Sequence, residues 1–244
     1  MEAPPKPRVS LFFPVYRDER TVARVAEKSV RVLSELASDY EVIIVDDGSP
    51  DTAGAIADQI ATANPNVRVI HHAQNLGYGR ALRTGFQAAR FDWICFTDGD
   101  DEYEVDDLRR LLRLHDRYDL IITFRYAKRY KSWRIFMSYV YNKVLRWLFN
   151  TRYRDVSCGL KVIRREVVAE LDLISTSPFI GAEVAIKTML KGFRVGEVGI
   201  QTFPREFGTG SSTSLPNIWA TLRDMRRVYS TVFSTEYDKP LNRA

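Results

Sequence analysis

The sequence predicts an α/β fold in which helices cover both faces of a mostly parallel sheet, followed by an amphipathic helical extension. Two observations lead there. Short, nearly continuous apolar runs alternate with segments of helical apolar spacing through the first half of the chain, the pattern of parallel strands buried on both faces. Most of these runs also end in a polar, turn-forming cluster, which gathers polar residues at the carboxyl edge of the sheet, where such folds bind ligands.

Residues 9–15 form the first β-rich run, and residues 21–37 follow with helical spacing at Val22, Val25, Ala26, Val30, Leu33 and Leu36. A second run, 41–45, stops at Asp46-Asp47-Gly48-Ser49-Pro50, a dense turn and capping signal. The spacing then predicts a helix over 51–63, a strand over 67–70, a helix over 78–89, a strand over 93–97, a helix over 105–115 and a strand over 120–124. Polar clusters at 16–19, 46–50, 75–80 and 98–102 fall on one edge and make a site. The second half is predicted as a helix over 131–149, a strand over 156–163, a helix over 182–190, a strand over 195–203 and an amphipathic helix over 217–233. It reads as an extension completing the site: residues 8–124 a nucleotide-binding half, 125–214 an acceptor half, and 215–244 a terminal helix and tail.

At 244 residues and 45% hydrophobic, the chain can bury one substantial core. It has no repeat or low-complexity tract, and 27% of its residues are charged, which argues against general disorder. Residues 1–7 hold three prolines and no apolar run, and read as a loose leader. Nowhere is there the run of roughly 18 apolar residues that a membrane span needs. Cys95 and Cys158 suit a reducing compartment, with Cys95 expected as a buried strand residue. His71, His72 and His115 lack ligand spacing and are assigned no metal.

Charge is uneven. Nine of the 36 basic residues and no acidic one lie in 125–154, which leaves 27 basic against 31 acidic elsewhere. Residues 124–153 also hold ten aromatics. That mixture is the composition of a helix lying in a membrane interface, basic groups at anionic headgroups and aromatics at the acyl boundary. It also fits a core-packed helix with a solvated stripe at Lys131, Arg134, Ser138, Asn142 and Arg146, or single-stranded nucleic acid held by stacking. The acidic cluster works against nucleic acid, which is not expected as a partner. Lys161, Arg164 and Arg165 read as a solvated face.

Asp98-Gly99-Asp100-Asp101-Glu102 puts four carboxylates in five residues, and something must offset their repulsion. A hard divalent cation does so, because Mg²⁺ or Mn²⁺ prefers oxygen ligands and bridges carboxylates to substrate phosphates. Asp98, Asp100 and Glu102 would point the same way on an extended chain. Alone, the cluster reads equally well as the acidic first turn of the next helix.

In order, the chain carries Pro14-Val15-Tyr16-Arg17-Asp18-Glu19, Val45-Asp46-Asp47-Gly48-Ser49-Pro50-Asp51, Asn75-Leu76-Gly77-Tyr78-Gly79-Arg80-Ala81 and Asp98-Gly99-Asp100. This set resembles the family 2 glycosyltransferases of the GT-A fold, over about residues 8–214. Residues 154–161, 196–200 and 203–208 are similar to their polyprenyl-phosphate branch, the dolichol-phosphate mannose synthase-like enzymes.

The resemblance implies an inverting, metal-dependent hexosyltransferase with a nucleotide-sugar donor of the GDP-mannose or UDP-glucose type. Its acceptor would be a polyprenyl phosphate, at the cytosolic face of a membrane. By position, it implies that Pro14, Tyr16, Asp18, Val45 and Asp47 hold base and ribose, and that Asp98 and Asp100 serve diphosphate and metal with Glu102 as a further metal-side ligand. It implies that Arg154 and Arg205 face acceptor and sugar phosphates, and that Asp155 and Glu183 lie near the reaction centre. Arg17 stands for the usual asparagine, Gly99 for the usual alanine (a tolerated change), and Arg205 to Ser211 is one residue longer than the family pattern. Two alternatives stay open: a transferase acting on a glycan hydroxyl, which would need Asp155 or Glu183 as base, and a non-catalytic or nucleic-acid-binding module that kept the fold.

Overall fold

The computed structural model describes residues 5–127, 132–203 and 214–234. The apolar runs become strands β1 (Arg8–Val15), β2 (Asp39–Asp46), β3 (Val67–His71), β4 (Trp93–Phe96), β5 (Leu120–Ala127), β6 (Lys161–Arg164) and β7 (Val195–Gln201). They form one sheet of order β3-β2-β1-β4-β6-β5-β7. Every pairing is parallel except those of β6, which runs antiparallel to both β4 and β5.

That single reversed strand decides where the second half of the chain meets the first. Because Lys161 opposes Phe96, the segment entering β6 lies at the edge where β4 ends. Residues 156–160, expected as strand, are this entry loop instead. The two halves of the chain thus share one sheet.

The helices are α1 (Val22–Leu36), α2 (Ala53–Ala63), α3 (Tyr78–Ala88), α4 (Leu108–Leu112), α5 (Ser132–Phe149), α6 (Arg165–Glu170), α7 (Ile180–Leu190) and α8 (Leu215–Val232). Helix α1 forms because Val22, Val25, Ala26, Val32 and Leu33 repeat on one buried face. The expected helix over 105–115 is shorter, a 3-10 turn at Val105–Asp107 leading into α4, and α6 was not foreseen.

Strand alternation splits the core in two. Leu11, Phe13, Val42 and Ile44 point to α1, α2 and α4, while Phe12, Ile43, Val45 and Phe96 point to α3, α7 and α8. Phe12 packs edge-on to Phe86 of α3 with ring centroids 5.0 Å apart, which fixes α3 beneath the site.

Helix α8 is more than an appendage. Asp224, Met225, Val228 and Val232 are buried, and the Asp224 carboxylate accepts the amides of Thr176 (2.8 Å) and Ser177 (2.9 Å). Its other face leaves Leu215, Trp219, Leu222, Tyr229 and Phe233 exposed.

Candidate active site

The four polar clusters meet at the carboxyl edge as expected, since Val15 opposes Asp46 and Asp46 opposes His71 in register. What each side chain does there differs from the expectation at several positions.

Tyr16 is exposed, with the Arg17 guanidinium 5.3 Å from its ring centroid. Arg17 has a left-handed backbone (φ 60°) and donates its amide to Ser49 Oγ (3.3 Å). Asp18 Oδ2 accepts the Tyr16 amide at 3.2 Å. A cleft of about 440 Å³ opens beside these residues, lined by Arg17, Asp18, Thr21, Pro50 and Asp51 among others.

The Val45 and Asp47 side chains are both turned to partners within the protein. The Val45 side chain is fully buried in the core, because strand alternation points it at α3. Pro14 is a buried strand residue too. Asp47, only 2% exposed, spends its carboxylate internally: it accepts the amides of Leu76 (2.9 Å) and Gly77 (2.8 Å) and lies 2.6 Å from His72 Nδ1. It holds the 75–77 loop, where Gly77 takes φ 92° before α3 begins. Beside it, hydrogen bonds to Asp46 (2.8 Å) and Asp58 (3.0 Å) raise the His71 pKa.

The acidic cluster is a turn, not an extended strand, because Asp101 has φ 58°. Asp101 turns to α1, where it pairs with Arg24 and Lys28, each at 3.0 Å. Part of the charge crowding is therefore offset by the protein's own cations. Asp98 Oδ1 accepts the Tyr78 hydroxyl at 2.7 Å; burial, then the Asp98 charge, push that phenol well above its ordinary pKa. Asp100 and Glu102 are each 7% exposed. Glycine suits position 99, where the backbone runs so close to Pro14 that a Cβ would run into its carbonyl.

Asp98, Asp100 and Glu102 do not converge as a three-ligand set; among the described residues no group of three His, Cys, Asp or Glu could hold a metal ion. The donor chemistry still fits Mg²⁺ or Mn²⁺, which take one or two carboxylates plus substrate phosphates and water.

Both acids expected near the reaction centre are tied up. Asp155, 3% exposed, receives the Arg125 guanidinium through Nε (3.0 Å) and a terminal nitrogen (2.8 Å), and also the Ser157 hydroxyl (3.0 Å). Glu183 is fully buried; it accepts the amides of Ile174 and Ser175, both at 2.9 Å, and pairs with Lys187 at 2.8 Å. It braces the 174–177 loop together with Asp224. Both carboxylates are thus committed to contacts within the protein.

Arg154 is exposed, its guanidinium 4.5 Å from the Phe124 ring centroid. Arg205 lies outside the described residues, as do residues 209–211. Lys161 is a correction: far from a solvated face, its side chain is fully buried, bonded to the Cys158 carbonyl and 5.2 Å from the Phe96 ring centroid. Burial lowers its pKa to about 8.

The sequence reading missed Tyr78 and gave Arg125 no role beyond the basic segment. A signal existed for Arg125, which sits near the carboxyl end of β5. For Tyr78 the sequence showed only its place in the 75–80 cluster on the same edge as 98–102, and the bond to Asp98, 20 residues on, appears only in the fold. On α5, Phe136 (55%), Tyr139 (59%) and Trp147 (83%) are exposed, whereas Asn142 of the expected solvated stripe and Phe149 are buried. Among the described residues no helix is long and apolar enough to cross a membrane.

Residues 10–172 match the family model of Glycosyl transferase family 2. The chain is 31% identical to the glycosyltransferase AglD of Haloferax volcanii over 81% of its own length and 33% of that protein's. It is 28% identical to the polyprenol monophosphomannose synthase of Mycolicibacterium smegmatis, covering 84% of this chain and 80% of the relative. It is also 28% identical to the undecaprenyl-phosphate 4-deoxy-4-formamido-L-arabinose transferase of Shewanella sediminis, over 70% of this chain but only 53% of that one. Among solved structures, glucosyl-3-phosphoglycerate synthase from Mycobacterium tuberculosis, in complex with Mn²⁺, UDP and phosphoglyceric acid, superposes with a TM-score of 0.70 at 18% identity. That match covers 92% of this chain and 78% of the other, and it speaks for the GT-A-like fold.

Proposed function

Because this chain belongs to glycosyl transferase family 2, we propose that it transfers a hexose from a nucleotide-sugar to a polyprenyl phosphate at a membrane surface, with inversion and with a divalent cation. Two relatives whose names carry a polyprenol monophosphate or an undecaprenyl phosphate support that acceptor.

The observation that carries the reading is the engagement of Asp155 and Glu183. A hydroxyl acceptor needs a general base within hydrogen-bond reach, and the two candidates are held by Arg125 and Lys187 instead. A phosphate acceptor arrives already anionic and needs positive charge to position it. Arg154 and Arg205 are the groups proposed for that work, because a guanidinium grips phosphate in a bidentate way. Asp155 then acts through Arg125, fixing its guanidinium near the carboxyl end of β5.

On the donor side, Tyr16 offers its exposed ring to the base and Asp18 a carboxylate to base or ribose. Asp47 acts one step back by holding the 75–77 loop. Asp98 and Asp100 would hold Mg²⁺ or Mn²⁺ against the diphosphate, with Glu102 buried beside them. When bound, the cation supplies neutralisation of the charge that builds on the leaving diphosphate. The exposed aromatics of α5, with Lys143 and Arg146, support a peripheral contact with anionic lipid.

The test is a panel of nucleotide-sugars offered with a short polyprenyl phosphate, with Mn²⁺, with Mg²⁺ and with excess chelator. Cation-dependent formation of a glycolipid of inverted configuration, lost in Asp100→Ala, is the expected result. Full transfer in chelator would overturn the metal role.

A further inference from the structure

Asp98 is held from two sides by elements far apart in sequence. Tyr78, the first residue of α3, donates its hydroxyl to Asp98 Oδ1 at 2.7 Å. On the other side lies Gly159, in the loop that enters β6; a Cβ there would stand 2.5 Å from Asp98 Oδ2 and 2.9 Å from its Cγ. Gly159 is itself fixed, since its amide donates to the Tyr103 hydroxyl at 3.0 Å. Tyr103 in turn is only 5% exposed and bridges to Thr202 beside β7.

We propose that Tyr78 is a positioning residue for the metal and diphosphate site: its hydroxyl orients the Asp98 carboxylate for cation binding, with Gly159 as the opposing wall. The inference rests on the proposed metal role of Asp98. A carboxylate on a turn can rotate about its terminal torsion, which is broad and not sharply staggered. A hydrogen bond to one oxygen and a backbone wall at the other remove that freedom before any cation arrives, so less ordering remains to oppose binding. Hydrogen bonds of this kind, one shell outside a metal's ligands, are commonly worth tenfold or more in metal affinity.

The placement also explains why the Tyr78 ring and the Gly159 hydrogen matter together. Helix α3 is set by Phe86 packing on Phe12 and Phe96, and the 155–160 loop is set by the reversal of β6. Removing the hydroxyl leaves the ring and both frames in place, whereas a methyl at 159 pushes on the carboxylate itself.

The test measures Mn²⁺ binding to the full chain in the presence of UDP or GDP, by electron paramagnetic resonance of free Mn²⁺, without turnover. Tyr78→Phe is expected to weaken Mn²⁺ binding about tenfold while its thermal midpoint and its nucleotide affinity without metal stay near the parent values. Transfer should then show a raised half-saturating Mn²⁺ and a kcat that recovers at high Mn²⁺. Gly159→Ala should weaken Mn²⁺ in the same assay. Unchanged Mn²⁺ affinity in Tyr78→Phe, with the parent binding Mn²⁺ normally, overturns this inference alone. Failure of the parent to bind Mn²⁺ at all overturns the metal reading beneath it. A kcat loss that high Mn²⁺ does not restore, together with a lower melting temperature, would assign Tyr78 a structural role and also overturn the proposal.

Discussion

Glu183 and Lys187 form an ion pair of 2.8 Å one turn apart on α7, with both side chains fully buried. The pair is completed by backbone groups at both ends: Glu183 accepts the amides of Ile174 and Ser175, and Lys187 donates to the Asp172 carbonyl at 2.6 Å. It brackets the loop whose residues Thr176 and Ser177 press against Gly79 of α3.

Glu183→Ala strands a buried ammonium and two amides, and should lower the unfolding free energy by about 3–5 kcal/mol. Denaturant unfolding checks this, and the Glu183→Ala, Lys187→Met double variant should recover part of the loss. A folded Glu183→Gln variant of near-parent stability and no transfer would point to a chemical role instead.

Lys161 gives the stability a pH dependence of known sign. Its pKa is about 8 when folded against an ordinary 10.5, so between those values the unfolded chain binds more protons and stability rises with pH. Below about pH 8 the fold bears the cost of a charged, buried ammonium. The stability of Lys161→Met relative to the parent should therefore be greatest near pH 7 and fall by on the order of 3 kcal/mol as pH rises to about 10.5. Urea unfolding of both chains across that range measures it; a pH-independent gap would contradict the buried, shifted lysine.

Asp47→Asn puts an amide group where two backbone N–H groups and His72 converge. The expected result is a loss of about 1–3 kcal/mol in stability and a raised KM for the donor, because the 75–77 loop loses its anchor. Steady-state kinetics with unfolding curves separate the two effects; unchanged values in both would remove Asp47 from the site's support.

The outward aromatics of α5 predict that the protein pellets with anionic liposomes and is released as salt rises, since surface attraction is screened over about 8–10 Å at moderate ionic strength. Trp147→Ser, at the most exposed of these positions, should weaken pelleting without loss of fold. Absence of binding at low salt would refute the peripheral contact.

Much of this architecture was legible in the sequence, and the exceptions share a cause. The runs that became β1 to β4 announced themselves because strands buried on both faces must be apolar throughout, and the clusters that follow them landed on one edge. Residues 156–160 misled because a loop packed under a strand is as apolar as one. The N–H groups that Glu183 and Asp47 accept, and the depth of Lys161, depend on chain segments brought together only by the fold. A carboxylate that holds a loop and one that holds a ligand are the same letter in sequence. Spacing located the site, whereas the division between residues facing substrate and residues supporting them needed the hydrogen bonds.

The acceptor tests the account most directly. With one donor, Mn²⁺ and the same short isoprenoid chain, transfer to the polyprenyl phosphate and to the neutral polyprenol should be measured side by side. The account predicts transfer to the phosphate at least about a hundredfold faster, as the loss of a charged hydrogen-bonded partner implies, with a product that is a polyprenyl-phosphate sugar. Equal transfer to the neutral alcohol would contradict it, and would require a base other than the engaged Asp155 and Glu183.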